Sequence, residues 1–262
     1  MPRLTWGETG KRLYETGIDR GVLYVGANAG VAWTGLTSVE ERPSGGENKS
    51  YYLDGVKYLQ ASASEEFTAT INAFTYPDEF GQCDGTAQIR PGLFLNQQRR
   101  IPFGLSYRTM VGSDLNPERG YKIHIVYNAL AEPSQQTYSS NSDSPDPVEF
   151  SWSVYTRPPK VNGYKNTAHV VIDSRTTDPA TLKAIEDILY GDSELMSRLP
   201  SIEELIDVYD SSNGLDVVEN PDGTFTITGS DEDVQMLDMN IFQITADTVT
   251  PIDGDTYNIS SG

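Results

Sequence analysis

The sequence predicts a mainly β protein: an antiparallel sheet covered by one main α-helix, followed by a small, acidic, β-rich C-terminal extension. Three observations carry this. Nearly everything before residue 168 reads as strands and turns. An apolar strand over residues 168–173 then runs straight into a well-capped helix over 178–191. Finally, no Lys, Arg or His follows Arg198, so the last part of the chain differs in kind from the rest.

Residues 1–19 are polar and read as an arm. Residues 21–26 form a short strand and residues 30–41 another. The latter ends in Arg42, Pro43, Ser44, Gly45, Gly46, Glu47, Asn48, Lys49 and Ser50, whose composition predicts a polar loop. Residues 51–59 are a strand bent at Asp54-Gly55. Residues 65–76 alternate, with Phe67, Ala69, Ile71 and Ala73 on one face and Glu66, Thr68, Thr70 and Asn72 on the other. Residues 77–81 close this strand as a single helical turn. Long strands follow over 100–111 and 121–130, joined by a turn-rich connection. Phe103, Leu105, Tyr107, Thr109 and Val111 share a face in the first; Tyr121, Ile123, Ile125 and Tyr127 share one in the second. After a Ser/Asp/Pro loop, residues 148–157 set Val148, Phe150, Trp152 and Val154 against Glu149, Ser151, Ser153 and Tyr155, and Pro158-Pro159 stops them. Long strands with one wet face suit an antiparallel sheet.

In the helix over 178–191, Asp178 is the N-cap, Pro179 takes the first helical position and Gly191 the exit. Leu182, Ile185 and Leu189 make one stripe, which predicts packing of the helix on a sheet face. A short second helix is expected over 201–209. The Asp/Ser/Gly run at 210–214 marks a boundary between a main domain, 1–210, and an extension, 211–262. In the extension, short strands are expected over 215–218 and 224–228, around the turn at 220–223, and near 239–244 and 257–259. About fifty residues is half an immunoglobulin sandwich, so this is a minimal β unit or an appendage.

The formal net charge is −19, but residues 211–262 hold ten acids and no base, leaving −9 on the first 210 residues. Such a balance argues against gripping nucleic acid, which needs a basic footprint. The N-terminus lacks the apolar core of a signal peptide, and no run approaches the roughly 18 apolar residues of a membrane span. The expectation is a soluble protein synthesised in a cytoplasm, with no membrane partner. Cys83 is the only cysteine, so no intrachain disulfide is possible and a free thiol is expected. No phosphate-binding loop, dinucleotide fingerprint, zincin helix or nucleophile elbow occurs. His124 and His169 lie on separate strands and read as strand-face residues. The acidic turns at 231–233 and 253–255 lack a full calcium-loop pattern. No catalytic, cofactor-binding or metal-ligating residue is predicted, and the chain does not read as an enzyme.

Four stretches carry a family resemblance: Trp6-Gly7-Glu8 with Gly21-Val22-Leu23-Tyr24; residues 67–77; Phe103-Gly104-Leu105-Ser106-Tyr107-Arg108-Thr109; and Phe150-Ser151-Trp152-Ser153-Val154 through Thr177-Asp178-Pro179. On these, residues 1 to about 210 resemble the major tail, or tail tube, protein of bacteriophages with long non-contractile tails, especially phages of actinobacteria. The extension is not part of the resemblance.

The resemblance implies an antiparallel β-sandwich or rolled sheet flanked by one main helix. It implies a structural virion protein that partners itself, six copies to a ring, in rings stacked as a tail tube. Terminator, tape-measure and distal tail proteins would meet the tube ends, and DNA would pass through the lumen without specific binding. No cofactor is implied. Within this frame Thr68, Thr70, Ser106 and Thr109 are the expected lumen-lining residues, since neutral polar groups do not hold phosphate. The run from Arg42 to Ser50 is the expected contact between subunits, and Arg108 and Lys122 are expected to pair with acids at subunit contacts. The extension would lie outside the tube, its charge keeping the fibre unbundled. Alternative readings are a tail terminator, a capsid decoration protein, or a non-viral β-sandwich module that binds carbohydrate.

Overall fold

The computed structural model describes residues 5–46, 48–62, 65–138, 140, 147–193 and 195–213, and the backbone of six strands between 216 and 260. The chain is mainly β and antiparallel, with two helices. It divides into two units: residues 1–177 with 186–199, and residues 178–185 with 200–262.

The strands of the first unit are β1 (Leu13–Val25), β2 (Val31–Ala32), β3 (Leu36–Glu41), β4 (Ser44–Gly45), β5 (Asn48–Leu53), β6 (Val56–Ser62), β7 (Glu65–Glu66) and β8 (Thr68–Ala73). After a 3-10 turn over Asp78–Gln82 come β9 (Ala87–Arg90), β10 (Leu93–Leu95), β11 (Phe103–Ser113), β12 (Gly120–Ala131), β13 (Phe150–Thr156) and β14 (His169–Asp173). The main sheet runs β2-β1-β11-β12-β13-β8-β3, and β14 adds to β12. Strand β12 serves two neighbours along one edge. Its first half pairs with β14, with Ile123 opposite Ile172, and its end pairs with β13, with Ala129 opposite Thr156.

The alternation read from the sequence sets the inner face of β8 and β13. Ala69, Ile71, Ala73, Trp152 and Val154 are buried and pack with Leu23, Val25, Phe103, Leu105 and Tyr107 from the other half of the sheet. Trp33, Phe80 and Trp152 meet at ring-centroid distances of 4.8 to 6.0 Å, in the tilted and edge-on geometries that aromatic pairs prefer. Cys83 is buried in the same cluster.

Four segments differ from the sequence reading. The second half of the expected N-terminal arm is strand: β1 begins at Leu13, pairs with β11 up to Ser113, and carries bulges after Thr16 and Asp19. Its first half stays exposed, so it shows no apolar alternation. The strand expected over 30–41 breaks in two at Gly35, whose φ of 92° only glycine adopts cheaply. The polar loop over 42–50 contains β4, paired with β7, and the start of β5. The bent strand over 51–59 is a hairpin: Asp54 and Gly55 both have positive φ, 50° and 78°, the tight turn that matches strand twist.

The wet-face expectation also fails at the sheet centre. Ser106 and Tyr107 are both buried, as are His124 and Ile125. The second face of β11 and β12 is covered in part by the last turn of α1 (Pro179–Tyr190). There Tyr24 hydrogen-bonds the Leu189 carbonyl at 2.8 Å, and Tyr121 hydrogen-bonds Glu186 at 2.9 Å.

In the second unit, the start of α1 is capped as its sequence demands: the Asp178 carboxylate accepts from the backbone N–H of Ala180 and Thr181 at 2.9 and 3.0 Å. Helix α2 (Ile202–Asn213) is longer than expected and is capped by Ser201, which accepts from the Glu204 N–H at 3.1 Å. Among the described residues three antiparallel strand pairs follow: β15 (Asp216–Glu219) with β16 (Phe225–Thr228), β17 (Gln235–Asp238) with β18 (Ile241–Gln243), and β19 (Thr248–Asp253) with β20 (Thr256–Ser260). Strands β17 and β19 had no counterpart in the sequence reading. The acidic turn at 231–233 lies outside the described residues.

Candidate functional site

Two surface features and one side-chain cluster stand out in the first unit. The first is the hairpin β5–β6. Every described side chain from Lys49 to Gln60 is exposed. Among them are Tyr51, Tyr52, Leu53, Val56, Tyr58 and Leu59, each more than half exposed. The smaller hairpin β9–β10 repeats the pattern with Ile89, Leu93, Phe94 and Leu95 exposed. Isolated two-stranded hairpins are marginal in water, and contiguous exposed apolar patches mark interaction surfaces.

The second feature is the outer face of β3, β8 and β13. Register places Glu40, Thr70 and Ser153 in one row and Ser38, Asn72 and Ser151 in the next, with Asn72 donating to Ser38 at 2.9 Å. These rows hold neutral polar groups and one acid. They stop at Tyr155, beside which Arg99, Arg100 and Arg157 line a recess of about 560 Å³.

The cluster joins Glu41, at the end of β3, to His124 on β12 and His169 on β14. His124 Nδ1 lies 3.1 Å from His169 Nε2 and 3.2 Å from Glu41 Oε1, and His169 Nε2 lies 3.7 Å from the same oxygen. Tyr107 donates to Glu41 at 2.7 Å and stacks on His124 at a centroid distance of 4.7 Å. Thr109 Oγ1 is 3.1 Å from His124 Nε2, and Phe67 packs on His169 at 4.5 Å. The His124 hydrogen bond, aided by Tyr107 and against the cost of burial, holds the Glu41 carboxyl down to about 2. Burial pushes His169 below the usual histidine range, although Glu41 pulls the other way. Burial, then the Glu41 carboxylate, pushes the Tyr107 phenol up.

Separate strand-face histidines were expected from the sequence; the register instead stacks the two imidazoles 5.3 Å apart. No local signal reveals this, because residues 41, 124 and 169 meet only once β3, β12 and β14 are assembled.

The other expected site residues scatter. Thr68 and Thr70 are half-buried on β8, Thr68 donating to the Arg42 carbonyl. Thr109 faces His124. Ser106 is wholly buried, its hydroxyl 3.2 Å from the Tyr24 phenol, so it belongs to the interior and presents nothing to solvent. Arg42 pairs with Glu40 at 2.7 Å; Pro43, Ser44, Gly45, Gly46, Lys49 and Ser50 are exposed, Asn48 opens β5, and Glu47 lies outside the described residues. Ile185 and Leu189 are buried and Leu182 half-buried.

Arg108 and Lys122 are satisfied within the chain rather than held for another subunit. Arg108 forms a two-pronged pair with Asp19 at 2.6 and 2.7 Å and lies 4.4 Å over the Tyr121 ring; Lys122 pairs with Glu15.

No protein-family model matches the sequence. No curated protein matches it. Solved structures give weak likenesses to parts of contractile injection systems. One is the extended-state sheath–tube complex of the extracellular system PVC, at 15% identity and TM-score 0.30, covering 59% of this chain and 88% of that one. Another is the tube-terminating cap of the anti-feeding prophage, at 8% identity and TM-score 0.30, covering 66% and 97%. A third is the extended-state PVC sheath/tube terminator, at 10% identity and TM-score 0.27, covering 65% and 99%. Values this low transfer no role to this chain. Among the described residues no helix is long and apolar enough to cross a membrane.

Proposed function

We propose that this chain is a structural, self-assembling subunit of a bacteriophage-type tail tube, rather than an enzyme. The observation that carries the reading is the hairpin β5–β6, with six large apolar side chains and no covering layer of its own. A second copy of the chain would cover it. Rings of six, stacked into a tube, are the form that the sequence resemblance implies. The residues expected from the sequence to touch a neighbouring subunit, from Arg42 to Ser50, lead into this hairpin and include the start of its first strand.

The polar rows on β3, β8 and β13, with Thr68 and Thr70, are the proposed lumen wall. Hydroxyls, amides and the mutually neutralising Glu40–Arg42 pair offer passing DNA no net positive charge and therefore do not grip it. Tail completion proteins at the tube ends, and residence in the virion, belong to the same reading.

Electron microscopy of the concentrated, purified chain tests it. Rings or tubes with a central channel are expected. A particle that stays monomeric at every concentration and ionic strength would overturn the proposal.

A further inference from the structure

We infer that Glu41, His124 and His169 form a zinc-type metal site that fastens β3 to β12 and β14. Zinc takes imidazole nitrogens and carboxylate oxygens at about 2.0–2.1 Å in tetrahedral array, which sets its ligand atoms about 3.3 Å from one another. The three donor atoms here are separated by 3.1, 3.2 and 3.7 Å. They already surround a common point, one from each of three strands.

The surroundings suit the metal as well. Ligating histidines use their other ring nitrogen to hold orientation. With a metal bound, Thr109 Oγ1, 3.1 Å from His124 Nε2, would accept its N–H and leave the Nδ1 lone pair to the ion. Tyr107 donates to Glu41 and fixes the carboxylate. Imidazole donors favour zinc and its transition-metal neighbours over calcium or magnesium. Glu41 lies at the partly open side of the cluster, where water would complete the fourth position.

The consequence is mechanical. Among the described residues β3 pairs in the sheet only with β8, and β14 only with β12. A metal would tie these two strands together across the sheet, immediately before the segment that enters β4 and the exposed hairpin.

Protons shared among the same three atoms are the competing occupant, and metal titration separates the two. The full chain, stripped with a chelator, is titrated with Zn²⁺ by calorimetry and metal analysis, and with Co²⁺ by visible absorption. One tight equivalent per chain is expected, with a rise in melting temperature and the intense bands of tetrahedral cobalt. His169→Gln and Glu41→Gln each weaken that equivalent at least tenfold. They alter side chains less buried than His124, and circular dichroism checks that each variant folds; one folded variant suffices. Absence of micromolar binding by the parent chain overturns the inference. So does an equivalent undiminished in a folded variant, which would place the metal on acidic groups elsewhere.

Discussion

The phenol of Tyr24, on β1, donates a 2.8 Å hydrogen bond to the main-chain carbonyl of Leu189, in the last turn of α1. That carbonyl is one of the four at a helix end with no partner inside the helix. The same phenol oxygen lies 3.2 Å from the buried Ser106 hydroxyl. One side chain thus satisfies a helix end and a buried polar group. Tyr24→Phe keeps the ring and removes both bonds. The expected loss is about 1–2 kcal/mol, read as a lower urea midpoint at unchanged slope. An unchanged midpoint would show that water takes over both partners.

Asp19 and Arg108 give the fold a pH dependence of known sign. The Arg108 hydrogen bond, with Coulomb attraction, holds the Asp19 carboxyl below its usual 3.8, against the cost of burial. A carboxylate depressed in the folded state contributes stability in full above its unfolded value and loses it as pH falls through the folded one. The unfolding free-energy gap between parent and Asp19→Asn is therefore constant above about pH 5 and shrinks below about pH 4. Asp19 is partly exposed, so the gap at neutral pH is modest, about 1 kcal/mol. A gap that widens in acid would contradict this assignment.

Gly35 turns the chain between β2 and β3 with φ at 92°, and a β-carbon there would come within 2.6 Å of the Thr75 methyl and 3.2 Å of the Thr75 nitrogen. Gly35→Ala is expected to cost about 1–3 kcal/mol, seen as a lower melting temperature. Gly55→Ala also has positive φ but meets nothing within 4 Å, so it should cost less. Equal costs would mean that backbone strain alone, and not the contact with Thr75, sets the penalty.

The exposed hairpin separates folding from assembly. Tyr52→Ser combined with Tyr58→Ser removes two aromatics that are 64% and 73% exposed. Chain stability should change by no more than about 0.5 kcal/mol per site, while sedimentation and microscopy lose the assembled species. Tubes formed as well as by the parent would remove the hairpin from the interface.

These elements were legible in the sequence to different degrees, for physical reasons. Residues 65–76 and 148–157 showed their strands because one face is core and the other wet, which writes a period of two into the residues. Asp178, Pro179 and Gly191 showed α1 because helix ends need particular side chains. The first half of β1 was hidden because its side chains stay in solvent and its main-chain pairing leaves no apolar trace. Ser106 was misplaced because alternation assumes one wet face, and the centre of β11 is covered on both. The Glu41–His124–His169 cluster was illegible because its geometry comes from strand register, with His124 opposite Val171 and His169 opposite Val126.

Cys83 lies in the aromatic core with no exposed surface, and burial, then Asp84, pushes its thiol up to about 12. Of a thiol and its thiolate, the thiolate is the nucleophile, so the folded chain hides its single thiol twice, by burial and by protonation. The chain therefore carries a built-in clock. The rate at which a thiol reagent consumes Cys83 counts the openings of the sheet around Phe80 and Trp152, residue by residue on no other cysteine. Comparing that rate in free and assembled protein would measure how far the neighbours in an assembly hold each core shut.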